Sequence, residues 1–144
     1  MTSLAFPDIN MWLAMAFAAH SLHAPASHWF ESLTDGDELI FCRFTQLGLL
    51  RLLTQSAVMG DSVKTQREAW AIYDAFVTDG NARLIHEPRS LDLSFRRLAS
   101  LDSASPQNWA DCYLAAFAEA AELTLVTFDK ALAGRAEGSI LLQA

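Results

Sequence analysis

Five short apolar runs limit what this chain can fold into: SLAFPD, LIFCR, ARLIHEP, TLVTFD and SILLQ. None alternates strictly between polar and apolar side chains, so strands built from them are covered on both faces. The stretches between them carry helical spacing. INMWLAMAFAAH, SLHAPASHWFESL, FTQLGLLRLLTQ, KTQREAWAIYDAFVTD, SLDLSFRRLASL, ADCYLAAFAEAAEL and KALAG all read as helices. In the second, Ala26, Trp29, Phe30 and Leu33 fall at i, i+3, i+4 and i+7. TDGDE, SAVMGDSV and SASPQNW read as turns and loops. Strands alternating with helices predict an α/β fold with a parallel sheet between helical layers.

With 144 residues, the chain is expected to form one domain over residues 1–144. The apolar share of 52% argues against disorder and implies apolar surface for self-association or a partner. No apolar stretch reaches a membrane span and the start lacks a signal-peptide pattern, so no membrane association is expected. Cys42 and Cys112 have no partner at metal-ligand spacing and read as buried thiols in a reducing cytoplasm. The net charge of −7 is a poor footprint for general nucleic-acid binding, but suits a chain that gathers carboxylates around a cation.

In open parallel sheets, ligands bind beyond the carboxyl ends of the strands. Asp8 follows the first run and Asp129 the fourth, while Asp111 opens the Ala-rich helix that leads back to the fourth. Each alone is more readily a helix cap or a first-turn acid than a ligand. Together they can converge on one edge, where mutual repulsion favours a divalent cation. Oxygen ligands point to Mg2+ or Mn2+ and to metal-assisted hydrolysis of a phosphodiester. Asn10 can orient a water, and Thr127 shares a strand side with Asp129 and can hold a carboxylate. His20, His23 and His28 lack a third ligand and read as surface or helix-end residues. Arg43 and Arg51 read as surface arginines or phosphate contacts. Trp12, Trp29, Trp70 and Trp109 read as core or interface residues, with base stacking the alternative for Trp109.

FPDINMWLAM, FCRFTQLGLLRLLT and WADCYLAAFAEAAELTLVTFDKAL follow one another in the order and spacing of PIN-domain ribonucleases. The chain most resembles the VapC toxins of bacterial toxin–antitoxin pairs, over essentially its whole length. The resemblance implies a PIN-like three-layer α/β/α sandwich with a central, mainly parallel sheet of four to five strands. It implies a Mg2+- or Mn2+-dependent endoribonuclease, with Asp8, Asp111 and Asp129 on the metal and Asn10 and Thr127 beside them. It also implies a homodimer neutralised by a VapB-type antitoxin. The family usually carries a further Glu in the helix after the second strand. Here the matching position is near Gly48 and Gln46 is neutral, so either three carboxylates suffice or Glu38 or Asp37 moves in. With that acid missing, a catalytically weak binding module is the alternative. A phosphotransfer site fits less well: Asn10 stands where such phosphatases need a second Asp, and His86 and Glu87 stand where receivers need Asp.

Overall fold

The computed structural model describes residues 3–144. Five strands form one sheet: β1 (Leu4–Pro7), β2 (Glu38–Phe41), β3 (Ala82–Leu84), β4 (Thr124–Thr127) and β5 (Ile140–Leu141). Their order is β3-β2-β1-β4-β5, and each neighbouring pair is parallel. Eight helices accompany them among the described residues: α1 (Ile9–Ala16), α2 (His23–Glu31), α3 (Arg43–Leu53), α4 (Ser56–Met59), α5 (Gln66–Asp79), α6 (Leu91–Ala99), α7 (Asn108–Ala121) and α8 (Lys130–Ala133).

The strands alternate even though their sequences do not, because both faces are buried. Ala5, Leu39, Phe41 and Val126 point to one face, where they meet α1, α3 and α5. Phe6, Ile40 and Leu125 point to the other, against α7 and α8. On the first face Trp12 stacks flat on Phe41, with ring centroids 3.7 Å apart. On the second, Phe6 stacks on Phe117 at 5.2 Å. The predicted α/β/α sandwich is therefore observed, with a wholly parallel sheet. No helix among the described residues is long and apolar enough to cross a membrane.

Several element boundaries differ from expectation. The first helix stops at Ala16 rather than His20, because Phe17 turns extended and packs into the first core. The strand expected over LIFCR gives up Cys42 and Arg43. Cys42 caps α3, its N–H donating to the Thr45 hydroxyl at 3.0 Å. SAVMGDSV holds a short helix and a 3-10 turn (Gly60–Ser62) rather than open loop. Asn108 and Trp109, read as loop, form the first turn of α7. The third and last strands shorten to Ala82–Leu84 and Ile140–Leu141.

α5 is closed by reciprocal capping: Glu68 N–H donates to the Thr65 hydroxyl, and Thr65 N–H to the Glu68 carboxylate. Gly48 lies where α3 crosses α1. A Cβ built there would meet Ile9 Cδ1 at 2.3 Å, so a side chain at 48 would require Ile9 to shift.

Candidate active site at the carboxyl edge of the sheet

β1 and β4 are neighbours, so the residues that follow them emerge side by side. Asp8 ends β1 by donating its N–H to the Val126 carbonyl, and then caps α1. Its Oδ1 accepts from Met11 N–H at 2.8 Å and its Oδ2 accepts from the Thr127 hydroxyl at 2.5 Å. Thr127, fully buried, also accepts from Asp129 N–H at 2.9 Å. One hydroxyl thus ties both aspartates together. Asp129 caps α8 through Oδ1, which accepts from Ala131 N–H at 2.9 Å and Leu132 N–H at 3.2 Å. Asp8 and Asp129 are therefore helix caps as well as neighbours at one edge.

Asp111 completes the group from α7. It stands in the first turn but does not cap; Gln107 holds that position. Burial first, and then the Asp129 charge, raise the Asp111 pKa, while Arg135 lowers it. The stronger effect is on Asp8, which is only 6% exposed. Burial pushes its pKa up to about 6. The hydrogen bonds from Thr127 and Met11 oppose the rise, and the Asp129 and Asp111 charges add to it. The three carboxylates thus feel one another, as repelling groups at a shared site do. Asn10 is exposed on α1 one residue beyond Ile9, and takes no part in these hydrogen bonds.

The donor set has the chemistry of a hard-cation site: oxygen ligands, excess negative charge and two carboxylates, Asp8 and Asp111, held above their ordinary pKa. Among the described residues, no three His, Cys, Asp or Glu side chains are drawn together tightly enough to hold a metal ion directly. Mg2+ commonly keeps several waters and takes only one or two carboxylates, so the set fits this cation through water.

Glu38 and Asp37 do not join the site. Glu38 opens β2 opposite Leu4, so it lies at the amino edge, a strand length away. There it pairs with Arg83 at 2.6 Å, while Asp37 accepts from Thr34 N–H at 2.9 Å. The neutral replacement near Gly48 is structural: Ile9 fills the space a side chain at position 48 would need. Gln46 is buried and accepts from Arg43 at 2.6 Å.

Among the other candidates, His23 Nδ1 bonds the Ala14 carbonyl at 2.7 Å and His20 Nδ1 accepts from Leu22 N–H, which pins the α1–α2 junction. On the surface, Arg96 pairs with Asp92 and Arg97 with Glu119. Trp12 belongs to the core, while Trp70 and Trp109 are exposed. Both cysteines are buried and free.

Two residues enter that the sequence reading missed. Arg135, just past α8, acts on Asp111, and its Nη1 lies 3.9 Å from Cys112 Sγ. Its Nε is buried with no partner. Tyr113, one turn along α7 from Trp109, donates to Glu87 at 2.6 Å. No spacing signal marks Arg135, because its neighbours on α7 are more than twenty residues away.

The PIN domain family profile matches residues 5–138. The ribonuclease VapC41 of Mycobacterium tuberculosis is 41% identical over 128 residues, which cover 86% of this chain and 88% of that protein. The crystal structure of VapBC2 from Rickettsia felis, bound to a DNA fragment from its promoter, superposes with a TM-score of 0.68 at 15% identity, covering 97% of this chain and 99% of that one. The sarcin–ricin-loop-cleaving toxin VapC20 of M. tuberculosis gives 0.66 at 14% identity, covering 90% and 93%. At such identities the structural matches bear on the fold.

Proposed function

The chain belongs to the PIN domain family, and from that premise we propose that it is a metal-dependent endoribonuclease, the toxin of a toxin–antitoxin pair. The supporting observation is the mutual influence of Asp8, Asp111 and Asp129 at the carboxyl edge, with Asp8 buried and its pKa raised to about 6. The VapC ribonuclease relative, covered over most of its length, supports the same activity.

In this reading Asp8, Asp111 and Asp129 would hold Mg2+, or Mn2+, in part through bridging waters. When bound, the cation supplies water activation and offsets charge on phosphate oxygens. The chain's own residues prepare the site. Thr127 fixes Asp8 Oδ2 and the Asp129 amide with one hydroxyl, so the two carboxylates share a register. The α1 and α8 N-termini hold their Oδ1 atoms through backbone N–H groups. Asp111 enters from α7, with Arg135 nearby to offset its charge. Asn10, at the exposed rim, orients water or substrate.

RNA is the proposed substrate, the cytoplasm the proposed compartment, and a VapB-type antitoxin the proposed partner. Exposed Leu47 and Trp70, beside the α3–α5 cleft, offer apolar surface for the antitoxin or for a second copy in a homodimer. The test is cleavage of RNA with Mg2+ by the wild type and by Asp8→Asn. Cleavage by the wild type alone is expected; equal cleavage by both sinks the mechanism. The packing of Ile9 against Gly48 favours one second reading, a fold that keeps its antitoxin but hydrolyses poorly. No growth inhibition on expression, together with no heat of Mn2+ binding, would select it.

A further inference from the structure

A cleft of about 330 Å³ opens between the end of α6, the loop after it and the first turn of α7. Leu101 and Trp109 line its apolar part; Ser103, Ser105, Asn108 and Cys112 supply its polar atoms, and no lining side chain is charged. Trp109 is 60% exposed and braced by the edge of Phe95, with centroids 6.2 Å apart at 71°. Asn108 and Asp111 are three apart on α7, hence neighbours on its surface. The cleft therefore begins one helical turn from the carboxylate site. We infer that it receives a nucleobase of the RNA substrate, stacked on Trp109 and hydrogen-bonded by Asn108 and the serine hydroxyls. This rests on the nuclease reading and adds where the substrate's bases go.

Three observations converge. An uncharged lining suits the neutral part of a nucleotide rather than its phosphate. An exposed indole, braced on one side by Phe95, is the kind of surface on which unstacked bases dock. The chain carries a net charge of −7, which weakens general attraction to the phosphate backbone, so affinity gains from another source. Stacking supplies it without positive charge. A base inside a duplex cannot reach such a cleft, so the site selects single-stranded or looped RNA.

The test is binding of a fluorescent single-stranded 12-mer RNA in EDTA, which separates binding from cleavage. Trp109→Ala is expected to weaken binding roughly 5- to 150-fold, the range given by the loss of one stacked base. Its salt dependence should match the wild type. Trp109→Phe should recover most of the loss, and Val63→Ala, which removes an exposed apolar side chain outside the cleft, should bind as the wild type does. Equal binding by Trp109→Ala and wild type overturns the inference while leaving the nuclease reading intact. So does a lower oligomeric mass for Trp109→Ala by light scattering, which assigns the indole to a protein contact. A wild type that neither binds nor cleaves RNA overturns both.

Discussion

Replacing Asp8 with Asn should make the metal-free protein more stable at neutral pH and remove its activity. The side chain is almost wholly buried, and its pKa rises from 3.8 to about 6. At about 1.4 kcal/mol per pH unit, ionised Asp8 costs the fold on the order of 3 kcal/mol. The sign follows from the raised value: the folded state prefers the protonated acid. The cost is therefore fully present above pH 6, shrinks as pH falls, and is gone below about 3.8. Asn preserves the local geometry. Its oxygen can accept from Met11 N–H, and its amide can donate to Thr127, whose hydroxyl then turns. Asn is also a favoured cap. The assay is thermal or urea unfolding in EDTA between pH 4 and 8. At pH 7.5 Asp8→Asn should melt roughly 5–10 °C above the wild type, from roughly 3 °C per kcal/mol for a chain of this size. The two curves should converge near pH 4. A variant no more stable at pH 7.5, or a gap independent of pH, would refute the reasoning.

Thr127→Val keeps the shape but strips the hydroxyl, leaving Asp8 Oδ2 and the Asp129 amide without their partner. It should cost about 1–3 kcal/mol in urea unfolding, whereas Thr127→Ser should cost less. Gly48→Glu should be destabilising by at least about 1–3 kcal/mol from overpacking against Ile9. Adding Ile9→Ala should recover stability and strengthen Mn2+ binding in calorimetry, since a fourth carboxylate then has room. Glu38→Gln should leave RNA cleavage unchanged and alter stability by no more than about 1 kcal/mol, because its pairing with Arg83 is partly exposed and at the far edge of the sheet.

The α/β layering was legible because strands buried on both faces read as apolar runs, and helix period filled the gaps. Asp8 and Asp129 were legible for a related reason: each follows a strand and starts a helix, which puts caps and site residues at the same positions. Thr127 followed from strand alternation. Glu38, left open as a replacement acid, is the first residue of β2, and strand direction sends it to the opposite edge from Asp8. Ile9 against Gly48 is a contact between two helices, and no local pattern encodes which residue fills which gap. Arg135 and the α6–α7 cleft also depend on packing between segments distant in sequence. The boundary at Cys42 shifted because β propensity continued through a residue that Thr45 turned into a cap.

The Thr127–Asp8 hydrogen bond joins residues 119 positions apart. Closing a loop of that length costs about 4 kcal/mol in chain entropy, and β1 has no neighbour on that side until Thr124–Thr127 has been made. On the ribosome, β1, β2 and β3 can pair while the chain is still growing, but the carboxylate cluster cannot form. A truncated or stalled chain therefore carries the sheet's first half without its chemistry. The proposed RNA-cleaving centre exists only once β4 and Asp129 have been made and folded against β1.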